Sequence, residues 1–127
     1  MKAIFIKKHG DLNVLNYDTI NDPKAKKNQV IVKIKASSIN HLDLWVRKGL
    51  IGHKIKMPFI LGSDGSGIIV ERGKKIKDYE IGDNVVIQPG IFDKKASYLE
   101  NGHYSKGYKI IGESIDGVQS EYFRCNI

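Results

Sequence analysis

Apolar and polar residues alternate in short runs along most of the chain, and turn residues separate the runs. Alternation places successive side chains on opposite faces, which is typical of half-buried β-strands. The pattern predicts strands at residues 2–7, 14–17, 29–37, 68–71, 85–88, 108–112 and 121–125. In the clearest of them, 29–37, one face should carry Val30, Val32, Ile34 and Ala36.

One helix is predicted at residues 40–49. Asn40 is a favourable N-cap residue, and Asp43 lies in the first turn, where the helix dipole stabilises a carboxylate. Trp45 falls on the apolar face of this helix, so we expect it in the core. Asp43 and Arg47 have the i, i+4 spacing of an ion pair.

Many short strands with regular turns predict an all-β barrel or sandwich, and 127 residues fit one domain. The glycine-rich segment at residues 62–67 precedes a strand and has the spacing G-x-x-G-x-G. A dinucleotide fingerprint has the spacing G-x-G-x-x-G, follows a strand and opens a helix. We therefore expect a tight backbone crossing here, at which a side chain would not fit.

Composition and charge narrow the classes of function. No apolar run is long enough to span a membrane and the N-terminus lacks a signal-peptide layout, so we expect a cytoplasmic protein without a membrane partner. The formal net charge is +7, but the lysines are scattered among loops and aromatic residues do not interleave with them. This distribution argues against nucleic-acid binding. Cys125 is the one cysteine, which excludes an internal disulfide and indicates a structural thiol.

Several segments, in this order and spacing, resemble the medium-chain dehydrogenase/reductase family of zinc alcohol dehydrogenases and zinc-less quinone reductases. The matching segments span nearly the whole chain: residues 2–3, 30–36, 40–49, 58–67, 82–86, 116–117 and 121–122. The resemblance implies a mainly β, GroES-like barrel with short helices. In that family a Rossmann domain follows this barrel, and the active site lies in the cleft between the two.

The family's zinc chemistry is missing at the corresponding positions. A cysteine ligand of the zinc enzymes is replaced by Asn40, and a His-Glu pair is replaced by Ser63 and Asp64. The hydroxyl of the proton relay falls at Leu42 and a relay histidine at Trp45. Asparagine and serine are poor zinc ligands and a single carboxylate does not hold the ion, so we expect no metal.

By resemblance to the zinc-less members, Asn40 and His41 are the candidate cofactor-binding residues. Asparagine at this position lines the nicotinamide end of the cleft, and the next residue contacts the cofactor pyrophosphate. Trp45, Ser63 and Asp64 are the candidates for the substrate pocket, although backbone hydrogen bonding is the simpler hypothesis for Asp64. The catalytic residues themselves are not identified by the sequence.

A second zinc site of the family, a four-cysteine lobe, corresponds to residues 91–106, which contain no cysteine. We expect residues 1–127 to form the GroES-like domain alone, without a Rossmann domain, and therefore to be inactive in isolation. NAD or NADP would bind only if a Rossmann domain or a second chain supplied that half, and the substrate would be a small carbonyl, quinone or alcohol. The exposed face should favour a homo-oligomer. A non-enzymatic binding or scaffold module and an inactive remnant of an oxidoreductase are the alternatives.

Overall fold

The computed structural model describes residues 1–52, 54–91 and 107–127. Within these ranges the fold is mainly β, as predicted, with one α-helix, α1 (His41–Lys48), and a 3-10 turn at Leu12–Val14. No helix in the described part has both the length and the apolar character needed to cross a bilayer. The strands are β1 (Lys2–Ile6), β2 (Leu15–Thr19), β3 (Gln29–Ser37), β4 (Phe59–Ile60), β5 (Gly65–Arg72), β6 (Asn84–Ile87), β7 (Gly90–Ile91), β8 (Lys109–Ile110) and β9 (Tyr122–Asn126).

The strands form three antiparallel sheets, ordered β2-β1-β4, β6-β5-β3-β9 and β7-β8. Among the described residues, no unbroken ladder closes these sheets into one barrel. The short pair β7-β8 flanks residues 92–106, so the prediction of a zinc lobe without its cysteines concerns residues outside the described ranges.

The central pair of the fold is β3 with β5, paired from Val30 opposite Arg72 to Ser37 opposite Gly65. Two irregularities interrupt the register, one after Ile31 and one between Ile34 and Ala36. The predicted inward face was therefore wrong at its end, because Ala36 is exposed. A bulge adds one residue to one strand and so inverts the alternation beyond it. Ile31, which was predicted to lie on the opposite face, is also buried.

Two apolar clusters hold the sheets and the helix together. One lies under α1, and the other lies between the four-stranded sheet and the segment that leads to β9. Fully burying an aliphatic side chain contributes about 1.5–3 kcal/mol, so these clusters supply much of the stability. The first cluster contains Ile6, Val14, Val46, Phe59 and Leu61. The second contains Val30, Val32, Ile69, Ile76, Ile87, Ile111, Val118 and Phe123.

The glycine-rich segment 62–67 is a tight backbone crossing, as predicted. Gly62 has a φ of +97°, a left-handed conformation that glycine adopts without strain. A Cβ at Gly67 would collide with the carbonyl oxygen of Lys33 on the neighbouring strand. The strand was nevertheless predicted to begin too late, since β5 already starts at Gly65. Glycines carry no apolar side chain, so the alternating pattern does not reveal them as strand residues.

Candidate functional site

Helix α1 begins at the candidate site, and a carboxylate in its first turn fixes that beginning. Asn40 is the N-cap residue, with extended backbone at φ −108° and ψ 160°. Its backbone N–H donates to Oδ2 of Asp43 at 2.7 Å. The helix ends at Gly49, whose N–H donates to the carbonyl of Trp45 at 2.8 Å. Both helix boundaries therefore agree with the prediction.

The same carboxylate connects the helix to the glycine-rich segment. Oδ1 of Asp43 accepts a hydrogen bond from the buried N–H of Gly62 at 3.0 Å. Asp43 is only 3% exposed, so a single buried side chain positions both Asn40 and the residues that follow Gly62. The predicted ion pair between Asp43 and Arg47 was wrong: the ion pairs of the described residues do not include it, and the oxygens of Asp43 accept from two backbone N–H groups instead. Arg47 is buried as well, and it donates to the carbonyl of Gly10 at 3.2 Å.

Asn40 and Asp64, which the sequence separates by 24 residues, are in direct contact. The Nδ2 group of Asn40 donates to Oδ2 of Asp64 at 2.8 Å. Ser38 adds a longer hydroxyl bond to the same oxygen at 3.4 Å, and its backbone N–H donates to the Asp64 carbonyl at 3.2 Å. The Asp64 carboxylate thus accepts from two side chains rather than from the backbone, which corrects the simpler hypothesis for this residue.

Ser63 lies beside this contact but faces the interior. Its side chain is 4% exposed, and its Oγ has no hydrogen-bond partner within the described part of the chain. Two grooves of about 610 and 400 Å³ lie elsewhere on the domain, and none of the five candidate residues lines them. Among the described residues, His41, Trp45 and Asp64 are exposed, so this part of the candidate site lies at the surface.

His41 and Trp45 form an exposed aromatic pair next to Asn40. Their ring centroids are 5.4 Å apart and the rings are tilted by 55°. His41 is exposed, and Trp45 is 53% exposed, so the predicted place of Trp45 in the core was wrong. The helix turns Val46 into the core instead, where its side chain is fully buried against the cluster under α1. Neighbouring helix positions differ by about 100°, so burying Val46 leaves Trp45 at the edge of the buried face.

The donor atoms at this site do not match those of a zinc centre. Zinc in proteins is held by thiolate, imidazole and carboxylate ligands. Here the Asn40 amide directs an N–H group towards Asp64, and that carboxylate is the one zinc-type donor in the contact. No group of three histidine, cysteine, aspartate or glutamate side chains lies together in residues 1–52, 54–91 and 107–127.

Comparison with known families identifies this mainly β architecture with its single described helix. The family model for the alcohol dehydrogenase GroES-like domain matches residues 26–126, and the chain belongs to that family.

Two curated relatives and one solved structure show how far the similarity extends. The mitochondrial NAD(P)H oxidoreductase RTN4IP1 of Dictyostelium discoideum is 46% identical over 91 residues, which cover 67% of this chain and 26% of the relative. An NAD-dependent alcohol dehydrogenase of Sulfolobus acidocaldarius is 31% identical over 129 residues, covering 96% of this chain and 37% of the relative. A crystal structure of an NAD-dependent alcohol dehydrogenase superposes with a TM-score of 0.89 at 33% identity, covering 99% of this chain and 37% of that one.

The chain thus spans between about a quarter and just over a third of the length of these proteins. Of the five candidates, the structure brings Asn40 into contact with Asp64 and His41 beside Trp45, while Ser63 is buried nearby. Sequence reasoning did not assign Asp43 and Ser38 to the site, although both bond its residues. Asp43 was predicted to pair with Arg47, although an Asn-x-x-Asp spacing at a helix start also permits the reciprocal cap that the structure contains. No local pattern points to Ser38, because its contact depends on the pairing of β3 with β5.

Proposed function

We propose that this domain forms the substrate-side wall of an NAD(P)-dependent oxidoreductase that works without zinc. The proposal rests above all on the hydrogen bond between Asn40 and Asp64. This contact stands where the zinc-dependent members of the family carry metal ligands. An amide donor bonded to a carboxylate at that place serves hydrogen bonding and not metal coordination.

The contact with Asp64 also determines what Asn40 offers to a bound molecule. A side-chain amide has two N–H donors and one acceptor oxygen. One donor is directed to Asp64, which fixes the orientation of the amide and leaves its second N–H donor for the oxygen of a bound molecule. Such a group suits the carboxamide of a nicotinamide ring or the oxygen of a carbonyl substrate. The hydride itself would come from the bound cofactor.

The exposed aromatic pair favours a particular class of substrate. His41 and Trp45 present ring surfaces beside Asn40, and planar unsaturated molecules pack well against aromatic rings. We therefore propose a small carbonyl, enone or quinone as the substrate. The dinucleotide would be bound by a second domain, either from further polypeptide or from a partner chain, because the candidate site is an open surface.

Metal analysis tests the zinc-independent part of the proposal. The purified chain should contain far less than one zinc per chain and should give no ligand-field bands with cobalt(II), a spectroscopic substitute for zinc. Combining Asn40→Cys with Ser63→His supplies a thiolate and an imidazole beside Asp64, and this variant should gain cobalt bands. Both measurements are repeated with Cys125→Ser, so that the native thiol does not contribute. Stoichiometric zinc in the unmodified chain would overturn the proposal.

Activity is tested in a chimera, because the isolated chain should bind NAD(P)H in the millimolar range or not at all. The chain replaces the matching segment of the Dictyostelium oxidoreductase, and oxidation of NAD(P)H by quinones and enones is followed in the presence of a chelator. Asn40→Ala should lower kcat/KM about 10- to 100-fold, because losing a hydrogen bond of about 1.4–2.7 kcal/mol changes a rate by that factor. A folded chimera that binds NAD(P)H but reduces none of these compounds would favour a scaffold module or an inactive remnant.

A further inference from the structure

Two lysine-rich loops that lie far apart in the sequence meet at one end of the four-stranded sheet. The backbone N–H of Lys75 donates to the carbonyl of Lys27 at 2.9 Å, and that of Gly73 donates to the carbonyl of Gln29 at 2.8 Å. The loop before β3 is thereby joined to the loop after β5. The lysines brought together are Lys24, Lys26, Lys27, Lys74, Lys75 and Lys77, which we call the lysine end.

Gly73 makes this close approach possible. It is buried, and a Cβ at its position would collide with the carbonyl oxygens of Lys26 and Lys27. The two loops therefore touch through their backbones, and the side chains of all six lysines are exposed. The expectation that the lysines are scattered was wrong for these two runs, because the sequence pattern does not show which loops become neighbours.

The positive charge of the lysine end is not neutralised by ion pairs. The ion pairs within the described residues involve Met1, Lys2 and Arg72, and none involves these six lysines. Arg72 is bonded to Glu80 at 3.1 Å and to two carbonyl groups, so it is tied to its own loop. Asp22, Glu71 and Asp78 are the other nearby acidic residues in sequence. Asp22 pairs with the N-terminal ammonium group of Met1, and Glu71 accepts a bond from the N–H of Ala25. A net excess of positive charge remains exposed.

The surroundings of these lysines indicate the kind of partner. All six side chains are exposed and none lines either of the two grooves, whereas sites for small molecules are concave and bury most of the ligand. They lie on loops, and no helix or strand carries them into a nucleic-acid groove. A lysine ammonium group is a point charge that attracts negative charge, whereas recognising the geometry of a phosphate or carboxylate group is the role of the bidentate arginine guanidinium. A broad anionic surface is the partner that exposed lysines can bind by charge alone, without a pocket or a fixed geometry.

We propose that the lysine end docks the domain onto membrane surfaces rich in anionic phospholipids. This replaces the expectation that there is no membrane partner, which rested on the lack of a spanning segment and did not consider attachment through surface charge. Clusters of four to eight basic residues bind such surfaces electrostatically, with about 1 kcal/mol for each lysine near the lipid headgroups. Ile76, the apolar residue between these lysines, is only 8% exposed. The attachment is therefore peripheral and reversible, without insertion of a side chain into the lipid core.

The position of the lysine end keeps the candidate site free during docking. Strand β3 runs from the lysine end at Gln29 to Ser37, just before Asn40, and β5 runs back from Gly65 to Arg72. Nine residues of antiparallel strand span about 30 Å. A domain docked at one end of these strands would hold Asn40 and Asp64 at the other end, away from the membrane.

Vesicle co-sedimentation of the purified chain tests this proposal. Vesicles of phosphatidylcholine with 30% phosphatidylserine should bind the chain at low salt and release it at high salt, and pure phosphatidylcholine should not bind it. A patch variant carries Lys26→Gln, Lys27→Gln, Lys74→Gln and Lys75→Gln. A control variant removes the same charge through Lys8→Gln, Lys33→Gln, Lys35→Gln and Lys54→Gln, all exposed and outside the lysine end. The patch variant should lose roughly fivefold in affinity for each lysine removed, and the control much less.

Acetylation footprinting of the unmodified chain provides a second measurement that does not depend on the folding of a variant. Anionic vesicles should protect Lys26, Lys27, Lys74 and Lys75 from acetylation and leave Lys8 and Lys54 reactive. The proposal fails if the anionic vesicles do not bind, or if both variants lose the same affinity. It also fails if a 20-base-pair DNA duplex binds more tightly than the vesicles at equal salt, which would identify a nucleic-acid surface.

Discussion

Replacing Asp43 with asparagine tests whether this one carboxylate holds the candidate site together. The two oxygens of Asp43 accept from different backbone groups, Asn40 N–H at 2.7 Å and Gly62 N–H at 3.0 Å. Asparagine has nearly the same shape but only one acceptor oxygen, so its NH₂ group must face one of these donors. One charged hydrogen bond is lost, at about 1.5–3 kcal/mol, and the other becomes neutral and weaker by about 1 kcal/mol. Asp43→Asn should therefore lower the free energy of unfolding by about 2–4 kcal/mol.

Urea titration followed by circular dichroism measures this loss. Since a domain of this size loses about 4 °C in Tm per kcal/mol, the thermal midpoint should fall by roughly 8–16 °C. In amide NMR spectra, Asn40 and Gly62 should show the largest shifts. Asp64→Asn is the matched control, because Asp64 is exposed and bonds only side chains through its carboxylate; it should change stability by less than about 1 kcal/mol. If Asp43→Asn unfolds within about 0.5 kcal/mol of the unmodified chain, the bridging role assigned to Asp43 is incorrect.

Three further outcomes are expected. In urea titration, Trp45→Ala should lower the free energy of unfolding by less than about 1 kcal/mol because half of Trp45 is exposed, whereas Val46→Ala removes a fully buried side chain and should lower it by about 2–3 kcal/mol. The reverse order would place Trp45 in the core. Gly67→Ala should prevent folding or lower the free energy of unfolding by more than about 3 kcal/mol, since the Cβ of the new alanine meets the backbone carbonyl of Lys33. A near-normal thermal midpoint would contradict the close crossing of the two strands. Burial raises the pKa of the Cys125 thiol, so iodoacetamide should label the folded chain more slowly than the urea-unfolded chain, and equal rates would contradict this. Because the folded chain holds the thiol proton more tightly than the unfolded chain, the folding stability is highest below the pKa of the unfolded thiol. The free energy of unfolding should then fall as the pH rises from that pKa towards the raised pKa of the folded thiol. Cys125→Ser should lack this fall.

The sequence predicted those parts of the fold that local patterns determine. Strand β3 was correctly placed because a long alternating run has few alternative structures, and α1 was placed by its N-cap residue and its final glycine. Strand β4, Phe59–Ile60, was missed because two residues are too short to show a period. Trp45 was misplaced for a different reason: spacing along a helix shows which residues share a face, but not where the edge of the buried surface lies.

The candidate residues were found by resemblance, but their arrangement was not. Asn40 and Asp64 lie on different segments, and the pairing of β3 with β5 and the two bonds of Asp43 bring Nδ2 of Asn40 to 2.8 Å from Oδ2 of Asp64. The lysine end has the same origin, since it requires contact between the loops around Lys27 and Lys75. Contacts between distant segments depend on register, and register depends on bulges and close crossings that a hydrophobic pattern does not encode.

A bulge in β3 connects these observations. Ile34 pairs with Gly67 and Ala36 with Ser66, so Lys35 is an extra residue that has no partner on β5. Without it, everything after Ile34 would shift by one position, about 3.4 Å along the strand, and every following side chain would turn to the other face. Ser38 would then lose the bond of its N–H to the carbonyl of Asp64, and Asn40, two residues further on, would move with it, while the pairing nearer the lysine end would stay in register. The bulge is therefore part of the candidate site, because it sets the register on which the contact between the amide and the carboxylate depends.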